Sequence, residues 1–578
     1  MKKHIIISFI ALAGLSLTGC DFLNSQMPQG TLSDTQVNDP ERIDELVISA
    51  YAIFMSAEDI NSSFSMWNFD VRSDDAYKGG NGTSDGDVFH QLEIQQGVLT
   101  TNWNINDMWV RLYNCISRVN TAIAVLEPMD STYTLRDTRL AEMYFLRAYG
   151  HFLLKRLYKN IPFVVDANLS PDEYNALSNT TYTNDKGWGL IIRDLEYAFA
   201  HLPQVQFEKG RANKAAAAAF LTKVYLYKAY RQDAPMSHAV TSIDKEDLKK
   251  VLYYSDEQWY AGYGLEPDFH NNFRPEPQYE NGVESIWAIQ YSMDDGTTFG
   301  NLNWSYGLCV PNIPGVTDGG CDFYKPSQNL VNAYRTTAAG LPVALTGNTN
   351  TTNYDMTTDY ADPRLFLTVG MPGLPYEFNP KYMMAKTNVW SRSNGLYGYN
   401  ISLKHNVDPD TEYLIKGSWW GSPMNRIVFR YADVLLERAE ALVQLNEGGA
   451  AEAVGLVNRL RSRALQSAQT GILAGYETAY GVKMSVGQYT GTYSQEETLA
   501  IVKTERRLEM GMESERFFDL VRWGEADIIL NNYYATEAAN CAIYAGAHFT
   551  KNKDEYLPIP YSQIAASNGH YTQNIGGW

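Results

Sequence analysis

Five cysteines in 578 residues exclude a disulfide-built scaffold, and no C-x-x-C pair marks a zinc or redox centre. The nine histidines include no H-E-x-x-H and no pair at i, i+4, so that route to metal-assisted hydrolysis is absent. Basic residues are outnumbered: 47 Lys and Arg face 66 Asp and Glu, and 47 − 66 gives a net charge of −19. No Lys/Arg-rich run offsets this excess, which repels phosphate backbones and argues against nucleic acid as a partner. Beyond the first 20 residues no apolar run approaches the roughly 20 residues that a membrane-spanning helix needs. What remains is a globular balance, 45% hydrophobic and 20% charged, long enough for several domains or for one extended helical-repeat body. Tyrosine is the abundant aromatic residue, 40 against 22 Phe and 12 Trp. Its flat face and hydroxyl suit a wet surface that accepts sugar rings, or a helical core whose hydroxyls reach water.

The N-terminus fixes the compartment. Lys2-Lys3-His4 precedes an apolar-dominated stretch at 5–17, the charged and apolar parts of an export signal. Leu17-Thr18-Gly19-Cys20 follows at once and resembles the bacterial lipobox, whose processing exposes Cys20 for lipidation. The expectation is a signal peptide at 1–19, a lipidated tether at 20–38 and a body at 39–578 held to the membrane by its N-terminal lipid. Among the other cysteines, Cys115 reads as a core thiol. Cys309 and Cys321 are the only pair close in sequence, with a bridge and free thiols both open.

Amphipathic spacing predicts helices over about 43–54, 109–123, 138–158, 188–202 and 211–231, several stopped by Pro. Two further pairs follow, at about 428–445 with 450–465 and 495–511 with 513–531. Between them, 233–426 is rich in Pro, Gly, Asn and Tyr, with a strand-like run at 285–291. The predicted fold is mainly α: a tetratricopeptide-like scaffold of helical pairs at 39–232 and 427–531. It carries a loop-rich insert at 233–426, with a few short strands, and a tail at 532–578.

Catalytic motifs are weak. Gly82-Thr83-Ser84-Asp85-Gly86 matches G-x-S-x-G, but no apolar strand precedes it, as a nucleophile elbow requires. Asp70, Asp74, Asp75, Asp85 and Asp87 supply oxygens for calcium without EF-hand order, and no cofactor is assigned. A glycosidase needs two carboxylates a few Å apart, and no local signature marks such a pair. The run from Glu505-Arg506-Arg507 through Glu509, Glu513 and Arg516-Phe517-Phe518-Asp519-Leu520 to Arg522-Trp523-Gly524 is dense in charge and aromatics. Its forks and carboxylates read as struts locking packed helices, rather than as a catalytic cluster.

That run resembles the signature of the SusD/RagB family of outer-membrane nutrient-binding lipoproteins. Asp21-Phe22-Leu23 after the lipobox, Arg147-Ala148-Tyr149, Asn160-Ile161-Pro162, Arg430-Tyr431-Ala432-Asp433, Val457-Asn458-Arg459 and Tyr556-Leu557-Pro558 resemble it in order along the chain. The resemblance implies a non-enzymatic protein on the cell exterior. It would bind glycans and deliver them to a SusC-like TonB-dependent outer-membrane barrel. A peptide-binding relative and a surface glycoside hydrolase are the alternatives. No acidic run follows Cys20, so exposure on the outer face rests on the resemblance alone.

Family ligand sites vary, so site residues are chosen physically: aromatic platforms for sugar faces, with Asp, Asn or Arg beside them for hydroxyls. The candidates are Trp67, Trp103, Trp304 and Tyr306 as platforms and Asp70, Arg72 and Asp74 as hydroxyl partners, with Tyr77, Tyr291 and Trp390 as further ligand-binding candidates in the same loop segments.

Overall fold

The computed structural model describes residues 42–54, 70–130, 132–234, 236–298, 300–345, 352–417, 420–539 and 541–578. Cys20, the tether and Trp67 lie outside these.

Helix α1 (Ile43–Ala52) buries Ile43, Val47 and Ala50, one face at helical spacing. In α2 (Trp103–Leu126) the Asn102 side chain caps the amides of Asn104 and Ile105, and Ile105, Met108, Leu112, Ile116, Val119 and Ile123 turn inward. Helix α3 (Arg136–Tyr158) is buried almost all round from Arg139 onward, as a helix with neighbours on every side must be. Thr183 caps α4 (Asn184–His201) and Asn213 caps α5 (Lys214–Ala229), where Ala215 to Ala219 are all buried. Each of α2 to α5 packs on the next, the stacking expected of helical-pair repeats.

The stack continues through the insert. Asp244 caps α6 (Lys245–Tyr254), which buries Leu248, Val251 and Tyr254 against α5 and against α7 (Tyr431–Leu445). This helix lies within the segment read from sequence as loop-rich insert. Ten residues among Lys and Glu give too short a pattern to stand out. Helix α8 (Ala450–Thr470) pairs with α7, and α9 (Gln495–Met510), started by a Ser494/Glu497 capping box, packs on both. The expected helix at 513–531 is two, α10 (Arg516–Trp523) and α11 (Ala526–Glu537). Gly524, at φ +72°, takes the left-handed position that ends α10.

Short antiparallel ladders tie the insert down. Strand β1 (Ala76–Gly79) pairs with β3 (Phe323–Pro326), and β2 (Ser285–Ile289) with β4 (Arg426–Arg430). The second ladder ties the middle of the insert to the strand that leads out of it, and Trp287 within it packs edge-on against Phe145 and Tyr149 of α3.

Two buried ion networks brace the body: the first joins scaffold to insert, and the second joins the two stretches of the scaffold. In the first, Glu509 meets Arg430 at 2.6 Å, Arg364 at 2.9 Å and also Arg463. Arg364 reaches Asp362 and Glu505, Arg461 reaches Glu505, Arg430 and Arg463 reach Glu284, and Arg430 and Lys404 reach Glu513. Five cations thus face five carboxylates, a neutral set. In the second, Lys223, Arg156, Arg506 and Arg522 face Asp433, Glu437, Glu515, Asp519 and Glu440. Four cations against five acids leave one carboxylate in excess. Glu437 accommodates it: burial first, and then the Asp433 charge, raise its pKa to about 8, so it keeps its proton at neutral pH. The Glu505–Gly524 signature supplies seven members of these networks: Glu505, Arg506, Glu509, Glu513, Glu515, Asp519 and Arg522. Its role is structural, as charge and aromatics along one run suggested.

Candidate ligand-binding surface

The insert presents one ledge of two tryptophans. Asn303 builds its first half: the side chain caps the Tyr306 amide at 3.2 Å and the backbone amide donates to Ser422 at 2.8 Å. The turn Trp304–Gly307 is thereby fixed against the hairpin formed by Ile415–Lys416 and Trp420–Gly421. Trp304 lies across this hairpin, its ring against Gly417 and Gly421, where added methyl groups would come within 2.6 and 3.0 Å of it. Gly307 sits so tightly under the Trp420 carbonyl that a Cβ would fall 1.6 Å from the oxygen. Trp420 is held by Nε1 donating to the Asp318 carbonyl at 3.2 Å, with the Lys416 ammonium 5.2 Å from the ring centre. Both tryptophans are half-buried. The 292–301 loop leading into Trp304 carries the exposed acids Asp294 and Asp295 and the half-buried Asn301.

Tyr291 and Tyr306 stiffen the ledge from behind. Both are buried. The Tyr291 amide donates to Asn425 Oδ1 at 2.7 Å, and the Asn425 amide donates to Glu280 at 2.9 Å. Tyr306 meets His405 edge-on, ring centres 4.8 Å apart. The cavity beside Tyr306, Lys404, His405, Asn425, Arg426 and Glu513 has about 30 Å³, room for a water and not for a sugar. Burial alters the charges there: it raises Glu280 to about 7, lowers Lys404 to about 8, and with Lys404 lowers His405 to about 3.

Three of the sequence candidates therefore meet in one place, Trp304 at the surface with Tyr291 and Tyr306 beneath it. Others are corrected by burial. Asp74 is 2% exposed and bound by Arg516 at 2.8 Å and Arg507 at 3.1 Å. Asp70 accepts from Tyr324 at 2.7 Å, and burial, then the neighbouring Asp75 charge, raises it to about 7. Arg72 stacks on Phe517 at 3.9 Å and donates to the Asp554 carbonyl. Tyr77 donates to Glu537 at 2.7 Å. These four are buried and tied to partners more than 200 residues away in sequence, Arg72 through Nη2 alone, its Nε and Nη1 making no hydrogen bond. Trp390, 6% exposed, anchors a separate small core against Tyr376. Trp103, 49% exposed, begins α2 and packs edge-on against Phe89. Trp420 was missed, although tandem Trp419-Trp420 between Gly417-Ser418 and Gly421 is a visible aromatic signal.

Among the described residues, no group of three or more His, Cys, Asp or Glu side chains could hold a metal ion. The acids considered for calcium at 70, 74 and 75 are taken up by Tyr324, Arg507 and Arg516. Cys309 and Cys321 are both free thiols, and Cys115 is a buried one.

Stacked helical pairs, with two half-buried tryptophans on an irregular segment packed against them, define a helical-repeat protein. The chain belongs to the SusD family: that family's sequence model matches residues 283–578, and a second, described as starch-binding associating with outer membrane, matches 21–226. SusD-like protein P2 of Formosa agariphila is 26% identical, covering 100% of both chains. The crystal structure of a SusD homolog from Bacteroides thetaiotaomicron has the same fold, with a TM-score of 0.70 at 19% identity, covering 95% of this chain and 100% of that one. Surface glycan-binding protein A from the same organism, solved with laminarihexaose, gives a TM-score of 0.63 at 19% identity, covering 92% and 99%.

Proposed function

We propose that this chain is a lipid-anchored glycan-binding protein of the outer cell surface. It holds oligosaccharides on the Trp304–Trp420 ledge and passes them to a SusC-like TonB-dependent barrel. The ledge carries the reading: two half-buried indole rings are fixed by hydrogen bonds and close glycine contacts, with Asp and Asn side chains on the loop beside them. Rings held this way stack on sugar C–H faces with little loss of side-chain freedom on binding. The glycan-bound relative supports the ligand class, and the outer-membrane family description supports the location. Cys20 is the proposed lipidation site, and the body acts by binding without cleavage.

Calorimetry of the full chain in detergent against β-glucan, xyloglucan, α-glucan and mannan oligosaccharides tests this. Trp304→Ala and Trp420→Ala should each weaken binding at least tenfold, and chromatography should return the ligand intact. Cleaved products would support a hydrolase instead, and binding of peptides with no response to glycans would support peptide uptake.

A further inference from the structure

A well-formed cleft lies on the helical scaffold, on elements other than those that carry the ledge. It runs between α2 and the segment 164–174 and has a volume of about 560 Å³, within the ~300–1,000 Å³ typical of small-ligand sites. Tyr113, Ser117, Asn120, Thr121, Asp166 and Tyr174 line it, among short aliphatic side chains.

Its parts divide into frame and contact surface. Tyr113 is pinned by its hydroxyl, which donates to the Pro162 carbonyl at 2.7 Å, and by the Trp109 ring 5.1 Å away. Asn120 is used at both ends, donating to the Val164 carbonyl at 3.1 Å and accepting from Arg147 at 3.2 Å. Opposite, Tyr174 stands 45% exposed on the short helix Pro171–Asn175, which a Ser170/Glu173 capping box fixes. A large exposed aromatic on a closed, capped turn keeps its position without any packing need for it. The Ser117 and Thr121 hydroxyls lie one helical turn apart on the exposed face of α2, and Asp166 accepts one bond from the Asn168 amide while facing solvent.

We infer that this cleft is a second carbohydrate site, taking a short neutral oligosaccharide between Tyr113 and Tyr174. Two phenol rings offer flat apolar faces, and the hydroxyls of Ser117 and Thr121 with the Asp166 carboxylate offer bonds to sugar hydroxyls. Neither Lys nor Arg lines the cleft, and its one ionised group is an acid, so it does not suit uronic or sulfated sugars. Two sites on one body raise the apparent affinity for a long polysaccharide above that for its fragments, provided one strand can reach both. The ligand class rests on the glycan-binding reading; the location is independent of the ledge.

The test removes the ledge first. The full chain carrying Trp304→Ala and Trp420→Ala, in detergent, is titrated with laminarihexaose, cellohexaose, maltoheptaose, mannohexaose and a xyloglucan heptasaccharide. Residual binding of one of them is expected, and adding Tyr174→Ala should weaken it at least tenfold, with Asp166→Asn weakening it less. Tyr174 is exposed, so an unchanged melting profile separates a lost contact from a lost fold. If the ledge-less chain binds none of these sugars, or binds one indifferently to Tyr174 and Asp166, the second site is overturned. If Tyr174→Ala instead loosens only a barrel protein, the cleft is a protein interface and the inference fails. Unaltered binding after removal of the ledge, lost with Tyr174, would sink the ledge and leave the cleft standing.

Discussion

Glu509→Gln probes the struts directly. The substitution keeps the shape of a side chain that is 0% exposed, and removes one negative charge from a network of five cations and five carboxylates. Three guanidinium groups, of Arg364, Arg430 and Arg463, then share a neutral amide, one face of which now presents donors to donors. Removing one partner of a buried ion set costs about 3–5 kcal/mol, because the uncompensated charge stays out of water. That is roughly a 10²- to 10⁴-fold shift in the folding equilibrium. Urea unfolding at pH 7, followed by tryptophan fluorescence, should show a lower midpoint at unchanged slope. Acid supplies a second readout. Burial alone would raise the Glu509 pKa, but Arg463, Arg430 and Arg364 outweigh it and hold the carboxyl well below the usual range. A depressed acid contributes its stability above its unfolded pKa, about 4.3, and loses it as pH falls toward the folded value. The gap between native and variant should therefore close below about pH 4. A variant within about 1 kcal/mol of native at pH 7, or a gap indifferent to pH, would refute the strut assignment.

Three other expectations follow from the same reasoning. Glu437 has the opposite sign: with its pKa raised to about 8 by burial and Asp433, its contribution is fully present below the unfolded carboxyl pKa of about 4.3 and is lost as pH rises from there through 8. Glu437→Gln should differ little from native at pH 4 and unfold later than native at pH 9, and a variant weakened equally at both would contradict this. Gly307→Ala forces the Trp420 carbonyl aside, so glycan binding should fall while far-ultraviolet circular dichroism stays native; intact affinity would mean the ledge is not the platform. Trp390→Ala should cost about 3–5 kcal/mol by cavity formation and leave glycan affinity at the ledge unchanged, as titration on the folded variant would show.

Much of the scaffold was legible because its signals are local. Helical spacing in α1 and α2, and prolines after the helices, each act within a few residues of where they are read. The sequence by itself also determined the acidic charge that repels nucleic acid, and the family to which the chain belongs. The ledge and the interior struts were different. Asp74, Arg72 and Trp304 look alike in sequence, polar or aromatic residues in loops rich in turn formers. Whether each meets solvent depended on partners at 516, 554 and 417, which only the closed fold brings near. Burial is a property of long-range contacts. For that reason tertiary structure, and not spacing along the chain, decided that Arg72, Asp70 and Asp74 brace the interior while Trp304 and Trp420 stay half-buried.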